Sequence, residues 1–354
     1  MAAELAAPAA ALAGAESAPT GSAGSRGARW WLIATVGSTI GAAVTAITLA
    51  PSGSAHAPEA LAFLLFVGSS VHVASTGWFY TVPEVRAYMR SRPARYIWWP
   101  LALITGAGAI AVLVPAAALN WLLLPYFGWQ FFHYQKQNLG VAALAAVATH
   151  VAPLRAGERR ALTGAGLAAA AALMSRPSLL QLPIRPVLPP GVPLVLFPVA
   201  TVAFAASVGV GVYFLARRAV RPPGFCAAYL TSLVFGLPVF VFTSPYAAVA
   251  GLTIGHGLQY LLLMGMVAAG GAGSGRGEGR ILQLAVLCNV ALLGGALLSV
   301  ASDQAAAGRP VLFGVFLGAV MAHFVIDAGL WRLRDEFPRG FLASRLPYLV
   351  TGAR

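Results

Sequence analysis

Apolar stretches of about twenty residues recur along the whole chain and constrain its fold more than any other feature. A helix needs about 20 apolar residues to cross the roughly 30 Å hydrocarbon core of a bilayer. Ten stretches approach this length, and no insertion between them is large enough for a soluble domain. We therefore predict an all-α fold, a polytopic membrane helix bundle with about ten transmembrane helices. They lie at residues 30–50, 60–80, 97–117, 121–149, 161–174, 192–216, 224–242, 247–269, 280–300 and 311–331.

The composition agrees with a multi-pass protein of the cell membrane. Of the 354 residues, 59% are hydrophobic and 9% are charged, whereas soluble domains carry about 25% charged residues. The formal net charge is +13, but the arginines lie in short groups between apolar stretches rather than along one exposed face. We expect the lipid bilayer to be a partner and nucleic acid not to be one. Cys226 and Cys288 lie inside apolar stretches and lack metal or redox spacing.

The basic residues predict the orientation of the bundle, because Lys and Arg concentrate in cytoplasmic loops. Groups of arginines precede the first apolar stretch and follow the second, fourth, sixth, eighth and tenth. The opposite loops contain only Arg176, Arg185 and Arg309. This alternation requires an even number of spans with both termini cytoplasmic. The predicted domains are a disordered cytoplasmic tail at 1–29, the transmembrane helical domain at 30–335 and a second cytoplasmic tail at 336–354.

Ionisable side chains inside the apolar stretches are the candidates for function, because placing them in a bilayer is costly. The four histidines among them lie on the second, fourth, eighth and tenth stretches, which all run from outside to inside in the predicted topology. At about 1.5 Å per residue, each histidine lies about 14 to 18 Å below the outer boundary. The sequence thus predicts one layer of imidazoles near the membrane midplane. The candidates are His72, His133, His256, His323, Asp327 and Lys136, the last being the only lysine of the chain.

Each histidine also has polar neighbours at helical spacing, so each helix presents a short polar stripe. Asp327 lies one turn after His323, and the glycines beside His256 permit close approach of a helix or ligand. We interpret Tyr134 and Tyr260 as packing residues. The remaining polar neighbours are Ser75 and Thr76 for His72, Gln130, Lys136 and Gln137 for His133, and Gln259 for His256.

Three or four imidazoles with one carboxylate suit iron, copper or zinc better than magnesium or calcium. We expect the four histidines to bind a metal, with non-haem iron first and copper or haem as alternatives. In an apolar bundle, iron would activate dioxygen against a lipophilic small molecule that enters from the bilayer. This predicts a metal-dependent oxidoreductase, an oxygenase or desaturase, that also uses an electron-donor protein. The expected catalytic residues are Lys136, Asp327, Gln137 and Gln259.

Other interpretations use the same residues. Each histidine taken alone is more often a packing or hydrogen-bonding residue between helices. A salt bridge between Lys136 and Asp327 would satisfy both side chains without any chemistry. A proton-coupled transporter would use the buried His, Lys and Asp as a relay, and Pro198 and Pro238 lie inside predicted helices. A haem-binding electron carrier would use two of the histidines as axial ligands.

Two blocks of sequence carry a resemblance to known proteins. The first is the His-Tyr-Gln-Lys-Gln-Asn-Leu-Gly run within Trp129 to Gly140, and the second is His-x-x-x-Asp-x-x-x-Trp-Arg within His323 to Arg334. They resemble motifs of poorly characterised bacterial multi-pass membrane proteins, including the UnbU-type proteins of enediyne clusters. In architecture alone, the histidine layer is similar to the Brp/Blh carotene-cleaving iron oxygenases, whose motifs differ. The resemblance implies an oxidoreductase of secondary metabolism and leaves its substrate open.

Overall fold

A computed structural model describes residues 22–51, 56–180, 188–189, 191–270, 277–304 and 308–350. All regular secondary structure in these ranges is helical, so the predicted all-α fold is confirmed. Within these ranges, seven helices are long and apolar enough to cross a membrane. They are Arg26–Thr48, Glu59–Thr81, Ala94–Leu113, Gly191–Ala216, Tyr246–Ala269, Gly279–Asp303 and Pro310–Leu330.

The described residues form fifteen α-helices, several of which continue into tighter or wider helical turns. Segments Val67–Val71, Ala94–Trp98 and Tyr246–Ala250 are π-helical, and Thr76–Thr81 and Pro177–Leu180 are 3₁₀-helical. The α-helices are α1 (Ser22–Thr48), α2 (Glu59–Phe66), α3 (His72–Ser75), α4 (Pro83–Arg90), α5 (Trp99–Leu113), α6 (Ala116–Ala148), α7 (Ala156–Met174), α8 (Gly191–Ala216), α9 (Pro223–Leu233), α10 (Pro238–Val241), α11 (Gly251–Ala269), α12 (Gly277–Asp303), α13 (Pro310–Leu330), α14 (Glu336–Arg345) and α15 (Pro347–Val350).

Three of the ten predicted spans differ from these seven helices in length, continuity or polarity. The predicted span 121–149 lies in α6, whose polar run from Gln130 to Asn138 lowers its apolar character. The predicted span 161–174 lies in α7, which begins with charged residues at its amino end. The predicted span 224–242 is divided into α9 and α10. The other seven predicted spans each overlap one of the seven apolar helices.

The described parts of the two predicted tails are largely helical and contact the bundle. Helix α1 begins at Ser22, so residues 22–29 of the predicted disordered tail are helical, whereas residues 1–21 lie outside the described residues. At the other end, α14 and α15 bury Leu342, Leu346 and Leu349 against the bundle. Apolar side chains in both predicted tails therefore have partners in the core.

Arg345 joins the carboxyl-terminal helices to two parts of the membrane domain. Its guanidinium donates to the Glu84 carboxylate at 2.7 Å and to the Val267 carbonyl oxygen at 3.1 Å. Glu84 lies in α4 and Val267 near the end of α11. This contact holds α14 against the ends of both helices.

Close helix crossings set the geometry of the bundle interior. A Cβ atom at Gly257 would overlap the backbone of Gly68, and one at Gly68 would lie 2.5 Å from the Cα atom of Ile254. The segment that carries Gly68 and α11 therefore touch backbone to backbone, which only glycine permits. On the other side, Gly314 and Gly318 bring α13 equally close to α5. These crossings draw together the helices that carry the candidate site.

Candidate metal centre

The four predicted histidines meet at one place inside the bundle. Neighbouring ring centroids form a closed cycle, with 4.9 Å between His72 and His256, 5.1 Å between His256 and His133, 5.3 Å between His133 and His323, and 5.0 Å between His323 and His72. Three of the rings are buried, and His133 is partly exposed. Two imidazoles on one tetrahedral ion, about 2.0–2.1 Å from it, have centroids roughly 5.2 Å apart. The observed spacing suits ligands of a common ion.

Local helix geometry places the first two histidines. His72 begins the four-residue helix α3, between the π-helical turn Val67–Val71 and a 3₁₀ segment. A π-helical turn rotates the following residues relative to a regular helix and is frequent at functional sites. The contact between Gly68 and Gly257 lies one turn before His72 and next to His256. Backbone contact at this crossing thus sets the distance between the two rings.

Most of the imidazole nitrogens lack hydrogen-bond partners. Both nitrogens of His72, both of His256 and the Nε2 atoms of His133 and His323 are buried without a partner among the described residues. The carbonyl oxygens of Gly68 and Ser69 lie near the His72 ring but outside hydrogen-bond geometry. Buried polar atoms are rarely left unpaired, because an unsatisfied group costs about 1–3 kcal/mol. Each of the four rings therefore has at least one nitrogen without a bonding partner in the described part of the chain.

A chain of hydrogen bonds links His323 to Asp327, and it fixes the tautomer of the imidazole when the carboxyl group is ionised. The Tyr260 hydroxyl donates to Oδ1 of Asp327 at 2.8 Å, so it can only accept from Thr76, whose Oγ1 lies 2.9 Å away. The Thr76 hydroxyl thus donates its one hydrogen to the Tyr260 oxygen. It must therefore accept a hydrogen from Nδ1 of His323, which lies 2.6 Å away. With Asp327 ionised, the chain places the ring hydrogen on Nδ1 and leaves a lone pair on Nε2.

The free Nε2 atom of His323 faces the second oxygen of the same carboxylate. Oδ2 of Asp327 lies 3.5 Å from Nε2, and both residues lie on α13, one turn apart. A charge-assisted N–H···O bond is about 2.7–2.9 Å long. Two ligand atoms on one tetrahedral ion, each about 2.1 Å from it, are roughly 3.4 Å apart. The separation is that of two ligand atoms on one ion and is longer than a direct bond.

The atoms that could hold a metal ion fall into two overlapping sets of three. Within each set all ligand atoms lie within 4.8 Å of one another. His323 belongs to both sets and Asp327 to one, so the carboxylate predicted as a ligand or as an orienting acceptor is positioned for either role. The sets are His72, His256 and His323, and His133, His323 and Asp327.

The two predicted catalytic glutamines form a separate hydrogen-bond network beside the histidines. Nε2 of Gln137 donates to the backbone oxygen of His256 and to Oε1 of Gln259, both at 2.9 Å. Gln259 in turn donates to Thr39 at 2.8 Å and to Asn138 at 3.2 Å. These bonds join α1, α6 and α11 one turn away from the His256 ring. The two amides are placed to hold the helix that carries His256.

The predicted catalytic lysine lies elsewhere. Lys136 is exposed, and its Nζ atom lies 5.5 Å from the centroid of the Phe132 ring. The ion pairs of the described residues do not include a bridge between Lys136 and Asp327. Gln130 donates to the Tyr134 hydroxyl at 2.7 Å. The structure therefore brings Asp327 to the histidines and leaves Lys136 on the surface of the bundle.

Comparison with other proteins does not extend the site. The chain matches no protein-family model. No curated protein and no solved structure matches it either.

Sequence reasoning underestimated the aromatic and hydroxyl neighbours of the cluster. Tyr134, interpreted as packing, stacks on His256 with ring centroids 4.1 Å apart, and Phe324 stacks on His133 at 4.3 Å. Tyr260, also interpreted as packing, carries the bond to the carboxylate. Tyr260 lies four residues after His256 on the same helix, and this helical spacing could have identified it as a neighbour of the site.

A second buried charged group lies apart from the histidines, where α7 begins and α8 has just ended. Arg218 forms two bonds of 2.6 and 2.7 Å with the Glu158 carboxylate, and donates to the carbonyl oxygens of Ala152 and Pro153. Glu158 also accepts from the Arg155 backbone at 2.7 Å, which closes a capping box. Burial raises the pKa of Glu158, but these bonds outweigh it, and the pKa lies below its usual value.

Proposed function

We propose that this protein is an integral membrane, metal-dependent oxidoreductase that acts on a lipophilic metabolite. The observation that carries the proposal is the pair formed by Nε2 of His323 and Oδ2 of Asp327, 3.5 Å apart. With Asp327 ionised, the hydrogen bonds around them leave both atoms as acceptors. Two acceptors that face each other in a buried site repel unless a cation lies between them. The separation favours a metal ion in that position.

The ligand set narrows the choice of metal. Imidazole nitrogens with one carboxylate suit iron, copper and zinc, and non-haem iron is our first choice. His133, His323 and Asp327 would hold the ion, with His72 and His256 as further ligands. When bound, iron would supply one-electron and dioxygen chemistry. The imidazole rings pack edge to face about 5 Å apart. This spacing admits a single ion more readily than a porphyrin.

The residues around the cluster would bind and orient the substrate. Phe324, Tyr134 and Tyr260 surround the imidazoles with aromatic surface, which suits an apolar molecule and excludes water. His133 is the partly exposed member, so the substrate would approach the cluster past α6 from the bilayer. An electron-donor protein would dock at the cytoplasmic side. The resemblance to membrane proteins of biosynthetic clusters supports a role in secondary metabolism.

We further propose that the chain crosses the membrane ten times with both termini in the cytoplasm. Helix α6 has 33 residues, or about 50 Å at about 1.5 Å per residue, which exceeds the thickness of the hydrocarbon core. Its polar residues Gln135 and Asn138 are buried against other helices, so they do not face lipid. The grouping of arginines in alternate loops supports the same orientation.

Metal analysis of the purified protein tests this function. We expect about one iron or copper ion per chain, lost to background in His323→Ala and Asp327→Asn, because a missing ligand typically abolishes tight binding. His56→Ala, which changes an exposed histidine, is the matched control and should retain the metal. Oxidation of a lipophilic substrate should depend on both the metal and dioxygen. If the purified protein contains no metal and its solute uptake follows the proton gradient, the oxidoreductase proposal is wrong and a proton-coupled transporter takes its place.

A further inference from the structure

Lys136 is an exposed cation on α6, which the proposed topology places across the membrane. It lies about 18 Å along the helix axis from Ala148, the last residue of α6, at about 1.5 Å per residue. Because α6 is about 20 Å longer than the hydrocarbon core, a lysine side chain about 6 Å long can approach the boundary of the core from this position. Among the described residues, no carboxylate pairs with it, and its Nζ atom lies beside the Phe132 ring. The ammonium group is therefore open to an anionic partner from outside the chain.

The lysine shares a stripe of α6 with a proposed metal ligand. Trp129, His133, Lys136 and Gly140 follow one another at helical spacing, and Trp129, Lys136 and Gly140 are exposed. Lys136 is displaced from His133 by about 4.5 Å along the axis. The stripe thus combines an indole, an imidazole that belongs to the buried cluster, and a cation. A Cβ atom at Gly140 would meet no atom within 4 Å, so the surface beyond Lys136 is open.

Trp129 connects this stripe to the interior. Its ring packs against Phe324 with centroids 5.4 Å apart, and Phe324 stacks on His133 at 4.3 Å. Phe324 is buried, so an apolar chain that lies along the exposed Trp129 ring would be separated from the imidazole by this one aromatic ring. The anionic end of that chain would lie at Lys136, one helical turn from His133.

We propose that the substrate is a lipophilic acid whose anionic group pairs with Lys136 and whose apolar part lies along Trp129, next to the partly exposed His133. This inference rests on the proposed function for its link to oxidation, but the binding itself does not require the metal. A carboxylate is the simplest anion that complements a single ammonium group in an apolar setting. Lys136 is thus a specificity-determining residue.

Binding of matched amphiphiles to the full chain tests this proposal. Radiolabelled dodecanoate and dodecan-1-ol would be titrated against chelator-treated protein in nanodiscs of zwitterionic lipid. We expect dodecanoate to bind at least about tenfold more tightly than the alcohol. Lys136→Met should remove that preference, and Lys136→Arg should keep it. Arg309→Met, which removes an exposed cation at the start of α13, should leave the preference unchanged.

Two results would overturn the proposal. Equal binding of acid and alcohol would show that the cation does not select an anion, and a dimer that dissociates in Lys136→Met would assign the anion to a second copy of the chain. Light scattering of both Lys136 variants detects the second result and also reports folding. Acid binding without bound metal in the native protein would refute the proposed oxidoreductase alone. Stoichiometric metal without acid preference would refute this inference alone.

Discussion

Two of the buried polar clusters among the described residues differ in how their donors and acceptors are paired. Around Arg218 and Glu158, donors and acceptors pair closely, with bonds of 2.6 and 2.7 Å joining guanidinium and carboxylate. Among the four histidines, six nitrogens have no partner in the described part of the chain. A fully paired group holds segments together, whereas an unpaired group retains capacity for a ligand. The contrast separates a structural polar cluster from a candidate functional one.

The largest effect should come from breaking the paired cluster. Glu158→Ala leaves Arg218 buried without a counter-charge, and we expect the free energy of unfolding to fall by about 3–5 kcal/mol. Chemical denaturation in detergent measures the loss. Glu59→Ala, at an exposed acid that begins α2, is the control and should change little. Metal content per folded chain should stay the same in both variants, and a selective loss in Glu158→Ala would erase the distinction between the clusters.

The backbone crossing beside the histidines should respond next. Gly257→Ala places a methyl group on the backbone of Gly68, so the two helices must separate. Overpacking of this kind costs about 1–3 kcal/mol and should also weaken metal binding by moving His256 away from His72. Gly265→Ala lies on the same helix in open space and serves as the control. Equal metal affinity in the two variants would mean that the crossing does not set the site.

The hydroxyl that orients His323 gives a smaller and more specific prediction. Thr76→Val keeps the shape but removes the acceptor for Nδ1, so we expect Zn²⁺ or Fe²⁺ affinity to fall about 10–100-fold. Thr76→Ser keeps the hydroxyl and should retain the native metal affinity. A role of Thr76 in packing alone would not predict this difference between the valine and serine variants. Thr105→Val, at an exposed threonine bonded to its own helix, is the control. An unchanged dissociation constant in Thr76→Val would contradict the assigned direction of the hydrogen bonds.

The unpaired cluster should gain stability when a histidine is removed. In chelator-treated protein, His256→Leu eliminates two buried nitrogens without partners, and we expect the free energy of unfolding to stay equal or rise by about 1 kcal/mol. The same variant should be less stable than the native protein once metal is added. Thermal denaturation of the native protein and of His256→Leu, with and without Zn²⁺, measures both differences in stability. A large loss in the metal-free state would indicate that the imidazoles satisfy one another.

The smallest expected effect is a pH dependence that belongs to the paired cluster. The pKa of Glu158 lies below its usual value of 4.5, so the folded state favours the carboxylate. This contribution is fully present above the ordinary carboxyl range and is lost as the pH falls through the folded pKa. Denaturation of the native protein should become easier at acidic pH, and less so in Glu158→Gln. Identical acid profiles would assign the effect to other groups.

The all-α fold and the histidine cluster were both predictable from the sequence for the same reason. Polar atoms are costly in lipid, so the backbone forms helices and ionisable side chains lie in the interior of the bundle. The sequence did not predict which side of a helix faces the interior, because packing decides that. Lys136 and His133 share a stripe, yet the lysine remains on the surface. It also missed the hydroxyl chain through Tyr260, since a tyrosine in an apolar helix usually packs. The π-helical turn before His72 has no clear sequence signal.

The backbone contact between Gly68 and Gly257 separates two properties of the site that could change independently in evolution. Since main-chain atoms set the spacing of His72 and His256, substitutions in the surrounding rings leave that spacing intact. Phe324, Tyr134 and Trp129 are then free to vary and to reshape the aromatic surface around the imidazoles. Under the proposed function, a lineage that kept the two glycines would be able to exchange one lipophilic substrate for another without moving the two histidines apart.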